Sequence, residues 1–287
     1  MVNTLTGRRT LVEGLAFGEG PRWHEGALYL SDMHHHRVLR VEADGGTETV
    51  AQYESPLSGL GWLPDGTLLV VAMDGHVLRL GPDGLAFHAD LTDVVPFGIN
   101  DMIVHPGGWA YVGQFGYDRE GGGHPAPSPL IRVDATGAVT EATAEMMVAN
   151  GMIITPDAAT LLVAESGACR ITAFAIDATG GLRDRRVWAE LPARHNPDGM
   201  CLDDEGAIWA ACPVAGRFVR VSQGGDITDE VRVDEGRHAI ACVLGGDARR
   251  TLFLVTAATL GQAEPSRRLL AGRVESLTVA HGGAGLP

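Results

Sequence analysis

Along this chain a short apolar run is followed by a turn rich in Gly, Pro and Asp, a second apolar run, a short polar loop and a third run of alternating side chains, and the order then repeats. The pattern is plain in SGLGWLPDGTLLVVAMDGHVLRLGPDG, where Pro64, Asp65 and Gly66 mark the first turn, and in DGMCLDDEGAIWAACPVAGRFVRV. Turns of this kind punctuate antiparallel strands. Six segments open on one polar residue each: Glu19, Ser58, Asn100, Asn150, Asp198 and His238, at spacings of 39, 42, 50, 48 and 40 residues. Four positions later stand Trp23, Trp62, Val104, Ile154, Leu202 and Cys242. A period of about 40 to 50 residues with about four strands is the signature of a propeller blade. Six repeats therefore predict an all-β, six-bladed β-propeller occupying residues 1–287 as a single domain. The last blade lacks its fourth strand in sequence order; the segment from Thr10 to Phe17 is expected to supply it and so close the ring, which removes exposed sheet edges.

Geometry turns the repeat into a candidate site. The innermost strand of every blade faces the central channel, so the six head residues are expected to converge near its axis. The loops joining second to third strands, among them Asp32 to His36, Met73 to His76, Phe115 to Ser128, Glu165 to Gly167 and Cys212 to Val214, are expected to wall the pocket mouth. Two carboxylates, Glu19 and Asp198, and two carboxamides, Asn100 and Asn150, form an oxygen-rich set that suits a hard divalent cation in the channel: Ca²⁺, Mg²⁺ and Mn²⁺ fit that donor set, with Zn²⁺ as a further alternative. Without a cation, two carboxylates in a poorly solvated channel push a pKa upward. Asn-Gly and Asp-Gly are also ordinary turn dipeptides, but turn chemistry does not explain Glu19 in the same slot.

GEGPRW around Glu19, IND at Ile99 to Asp101, NGM at Asn150 to Met152 and NPDGMCLDDEGAIWAA from Asn196 resemble the SMP-30/gluconolactonase/luciferin-regenerating family over nearly the whole chain. The resemblance implies a six-bladed propeller with one divalent cation, Ca²⁺ first, held by Glu19, Asn150 and Asp198, and Asn100 beside it in contact with substrate or a cation-bound water. Sugar-lactonase members of that family commonly carry an Arg two residues before the Asn100 position, where this chain has Gly98. The loop residues Met33, Met73, Phe115 and Tyr117 point to a less polar lactone or ester, and Ser58 is expected to form part of the pocket wall.

The expected chemistry is cation-assisted hydrolysis of a cyclic ester, with the cation polarising the carbonyl and Asn100 donating to the developing oxyanion. Either Asp198, as the resemblance implies, or His238, whose imidazole titrates near neutral pH, serves as the base that activates water. Competing readings are an organophosphate or aryl-ester hydrolase on the same site, a cation-assisted lyase or isomerase, and a noncatalytic ligand-binding propeller with a structural cation. His34, His35 and His36 are adjacent in a loop and diverge, so a pocket rim is expected rather than a metal cluster. Gly121 to Gly123 suggest an entrance loop or lid, and Ser166 stands outside any nucleophile-elbow context.

Composition narrows partners more than chemistry. A net charge of -14, from 22 Lys and Arg against 36 Asp and Glu, opposes phosphate backbones and anionic lipid. The expected partner is a small lactone or ester, with neither nucleic acid nor membrane, and a monomer or small homo-oligomer. The N-terminus lacks the apolar stretch of a signal peptide and no apolar run reaches the roughly 20 residues of a bilayer span. A cytoplasmic location is expected, with Cys169, Cys201, Cys212 and Cys242 as reduced thiols.

Overall fold

The alternating runs form six antiparallel sheets, in a computed structural model that describes residues 2–119 and 121–286. Each sheet is one blade, and its strands follow chain order outward from the channel. The innermost strands are Gly18–His24, Leu57–Trp62, Ile99–Val104, Ala149–Ile154, Met200–Asp203 and His238–Gly245. The sixth blade is completed from the other end of the sequence: Arg9–Leu15 pairs antiparallel with Gly272–Thr278, Arg9 opposite Ser276 and Val12 opposite Val274. This is the closure expected for the segment from Thr10 to Phe17, displaced by one or two residues. Beyond that expectation, Asn3–Thr4 joins the outer edge of the fifth blade in parallel, and Gly283–Ala284 pairs with its innermost strand.

The strand ladders run within blades, whereas the junctions from one blade to the next are filled chiefly by apolar side chains. A hydrophobic cluster fills every junction: Ile153 and Leu162 of the fourth blade meet Met200 and Ile208 of the fifth, and Trp209 of the fifth meets Leu244 and Leu252 of the sixth. Burying each such side chain stabilises the ring by about 1.5–3 kcal/mol, so side-chain packing, not strand pairing, holds the blades together. All four cysteines are free thiols, three of them buried. Among the described residues no helix is long and apolar enough to cross a membrane.

The head residues are aimed by a recurring irregularity. Pairing of inner with second strands shifts register between Glu19 and Arg22, Leu57 and Leu60, Ile99 and Met102, Ala149 and Met152, and Ala239 and Ala241. Such bulges turn a side chain out of the regular pleat. Bulges free backbone groups for neighbours, and in the fifth blade the Gly199 N–H donates to the Ile240 carbonyl of the sixth at 3.0 Å.

The glycine after several head residues has a packing reason rather than a turn reason. A Cβ on Gly151 would run into the carbonyl oxygen of Asp198, and one on Gly199 would meet Ala241. Neighbouring inner strands approach this closely only where the side chain is absent. Gly151→Ala is expected to cost about 1–3 kcal/mol through overpacking, measured as a lower urea midpoint with an unchanged slope; an unaltered midpoint would show that the strands tolerate separation.

Candidate active site

A cavity of about 230 Å³ opens at one end of the channel. A water molecule's share of liquid volume is about 30 Å³, so the space suits a ligand of a few carbons and oxygens. Glu19, Asn100, Asn150 and Asp198 line it together, so four of the six head residues converge. Met33, Phe115, Tyr117, Ser166 and Pro213 reach it from the loops expected to wall the mouth. In the long loop from Phe115 to Ser128, Glu120 lies outside the described residues.

The remaining candidates stand elsewhere. Ser58 is buried with its Oγ unpartnered, and its carbonyl accepts from Ser31 Oγ at 2.6 Å, but it does not line the cavity. Met73 packs against the cluster of Phe17, Met33 and Ile240, outside the lining. His238 is half-buried and its Nδ1 lies 3.0 Å from the Pro213 carbonyl oxygen, also outside the lining. No described lining residue comes from the second blade, so the cavity is set to one side of the repeat's symmetry.

The wall loops are fastened by buried carboxylates. Asp32 accepts from the N–H groups of Ala16 and Phe17 at 2.9 and 3.2 Å, and pairs with Arg37 and His35. Met33–His35 forms a single 3₁₀ turn, from which His34 Nε2 reaches the Gly261 carbonyl while His35 turns back to Asp32. These histidines diverge, as adjacent loop residues must. In the fourth blade Glu165 accepts from the Met147 N–H; although burial pushes its pKa up, hydrogen bonds from Arg170, Thr172 and Met147 hold it below the usual carboxylate range. The sixth-blade wall carries a short helix, Ala263–Leu269, with Glu264 in its first turn and Arg267 and Arg268 in its last, the polarity its dipole favours.

The electrostatics of the head residues are unusual. Burial, reinforced by Asp198 and Asp101, raises the Glu19 carboxyl well above its ordinary pKa. Asp198 is pushed up to about 8 by burial and by Asp101, against opposing contributions from Arg119 and a hydrogen bond from Asn150. Asp198 Oδ1 is buried with no hydrogen-bond partner among the described residues. Asn150 Nδ2 also lies 3.3 Å from Ser166 Oγ, and Ser166 Oγ donates to the Pro197 carbonyl. Asn196 Nδ2 donates to the Ser166 carbonyl at 2.8 Å, tying the fourth-blade loop to the fifth.

An unpaired buried carboxylate oxygen beside a second buried carboxylate is costly unless a cation joins them. Among the described residues no three His, Cys, Asp or Glu side chains converge on a metal position. A cation placed here would take a carboxamide alongside the two carboxylates, an all-oxygen set of the kind that fits Ca²⁺ or another hard divalent ion. Asp101 does not line the cavity. It forms a buried ion pair with Arg22 at 2.8 Å, and Arg22 also donates to the carbonyls of Met102, Leu60 and Pro21.

Sequence reasoning passed over Arg119, Val148, Asn196 and Ile240, all in the lining. Asn196 opens the NPDGM motif and stands two residues before its head residue, as Val148 does, and Ile240 stands two after His238, so these three were findable from the repeat; Arg119 lies in the long loop from Phe115 to Ser128, which follows no repeat.

The SMP-30/Gluconolactonase/LRE-like region model matches residues 17–258. Pentonolactonase XacC of Haloferax volcanii is 29% identical over 96% of this chain and 95% of its own length. The 6-deoxy-6-sulfogluconolactonase of Pseudomonas putida is 26% identical over 83% of this chain and 82% of its own. Among solved structures, regucalcin of Agrobacterium tumefaciens, a calcium-binding protein, superposes with a TM-score of 0.82 at 22% identity, covering 100% of this chain and 98% of that one. At that identity the superposition speaks to fold alone.

Proposed function

Since the chain belongs to the SMP-30/Gluconolactonase/LRE-like family, we propose that it is a lactonase that hydrolyses a small cyclic ester with one divalent cation, Ca²⁺ first, held by Glu19, Asn150 and Asp198. The observation that carries this reading is the unpartnered, buried Asp198 Oδ1 beside Glu19 in a cavity shared with two carboxamides. The lactonases among the relatives support the reaction class.

A cation bound there supplies a Lewis acid for the ester carbonyl. Asn100, buried in the lining, donates an amide N–H to the carbonyl oxygen as negative charge builds on it. Asp198 accepts the proton of the attacking water and returns it to the ring oxygen as the C–O bond breaks, leaving a hydroxy acid. His238 is a poorer base, because it lies outside the lining. Asn196 and Ser166 hold Asn150 and the loop before Asp198 in place. Phe17, Met33, Phe115 and Ile240 exclude bulk water from one side of the ring.

Chelation is expected to abolish turnover across a panel of γ- and δ-lactones, and stoichiometric Ca²⁺ to restore it. Full activity in thoroughly chelated protein would refute the cation-assisted mechanism, and no turnover on any lactone after reconstitution would refute the reaction class.

A further inference from the structure

Arg119 is the one basic side chain among the described residues of the cavity. Its guanidinium lies 4.4 Å from the centre of the Phe115 ring, and Nη2 reaches the Leu260 carbonyl across the mouth at 3.5 Å. Several half-buried or buried arginines of this acidic chain are held by carboxylates, Arg37 by Asp32, Arg170 by Glu165 and Arg220 by Asp203, whereas Arg119 is exposed at the cavity mouth. Arg119 has no such partner among the described residues, yet Glu19 and Asp198 both feel its charge from beyond ion-pair distance. A guanidinium fork facing two carboxylates across a cavity leaves a gap, and its unused N–H donors point to a planar anionic group as the occupant.

Charge balance agrees. With a cation bound, Glu19, Asp198 and Asp101 carry three negative charges around the site, and Arg22 and Arg119 two positive ones. A divalent cation converts the remaining negative charge into one positive charge, which a monoanionic substrate neutralises. In a protein of net charge -14 such a locally positive mouth is set against the general field, so the selection must be made at short range.

Resting on the lactonase reading above, we infer that Arg119 is a specificity-determining residue that selects lactones bearing one anionic substituent, a carboxylate being the simplest. The substituent sits against the guanidinium at the mouth while the ester carbonyl lies by Asn100. Phe115 keeps the guanidinium plane from turning away, so a Lys at this position supplies charge without the fork.

The test uses a matched pair: 5-oxotetrahydrofuran-2-carboxylate and the corresponding carboxamide, which share a lactone ring and differ in charge. With the calcium-loaded protein, kcat/KM is expected to favour the carboxylate. Arg119→Gln should lower the carboxylate-to-amide ratio by about 10- to 100-fold, chiefly through KM, and Arg119→Lys should recover part of it. Raising salt from about 50 to about 500 mM should shrink the ratio in the wild type and leave it level in Arg119→Gln. Calorimetric binding of 2-hydroxyglutarate, the ring-opened product, should weaken in Arg119→Gln by a similar factor. An unchanged ratio, or unchanged product binding, overturns the inference. If the wild type opens neither of these two but does open other γ- or δ-lactones, the inference on Arg119 is overturned; if it opens no lactone at all, the lactonase reading fails and 2-hydroxyglutarate binding still decides the role of Arg119.

Discussion

Asp198→Asn is expected to lower lactone turnover by about 10³-fold or more, the equivalent of several kcal/mol at the transition state. It removes the proton acceptor and one of two carboxylates facing a cation at a single change, while a carboxamide of the same shape keeps the cavity filled. A diagnostic separates this from general damage. In the cation-free protein burial and the neighbouring Asp101 push the Asp198 carboxyl up to about 8, well above the roughly 4 of an unfolded chain. Between these values the folded protein keeps a proton that the unfolded chain has lost, so this group's contribution to stability is whole below about pH 4 and drains away as pH rises through about 8. A bound cation removes the penalty on the charged form. The rise in melting temperature on adding Ca²⁺ should therefore be small at pH 5, grow toward pH 8 in the wild type, and flatten in Asp198→Asn. A variant that keeps both its turnover and a pH-dependent calcium shift would exclude Asp198 from the site.

Arg22→Met should destabilise the fold by about 3–5 kcal/mol, because it strands Asp101 as an unpaired buried charge. The guanidinium and carboxylate are 6% and 7% exposed, too dry for solvent to compensate. Arg22 also satisfies carbonyls on three successive blades, those of Pro21, Leu60 and Met102, and these would lose a donor together. Adding Asp101→Leu to Arg22→Met should recover part of the loss, since removing both charges of a buried pair is cheaper than removing one. Urea titration of the two single variants and the double gives the coupling directly. A loss below about 1 kcal/mol for Arg22→Met would mean that water reaches Asp101.

The repeat was legible because each blade must present one residue at the same bulge, which leaves a polar mark every 40 to 50 positions. The same logic found Glu19, Asn100, Asn150 and Asp198, and the closing strand near Thr10. It could not separate these from Ser58 and His238, which share the column but not the cavity. The reason is that loop length breaks the symmetry: the loop following Gln114 and the helix-bearing loop before Gly272 fill their sides of the mouth, and neither has a counterpart in the second blade. Met73 fell outside the lining because it packs into the apolar cluster around Phe17 and Met33. Arg22 was in plain view within GEGPRW, yet its work is long-range in sequence and leaves no local pattern. The glycines after the head residues read as turn formers from the sequence, whereas Gly151 and Gly199 sit where neighbouring backbones nearly touch.

Arg9 and Ser276, paired across the sixth blade, are 267 residues apart in sequence. During synthesis the strand Arg9–Leu15 emerges among the first residues and must wait for nearly the whole chain before its partner exists. Throughout that interval it carries an unpaired edge, the template from which strand exchange and aggregation begin. Contacts of such separation also form late and slowly once the chain is complete. Holding the nascent strand out of trouble is thus a demand that this fold places on the cell's folding machinery, and closing the last blade is the step at which yield is decided.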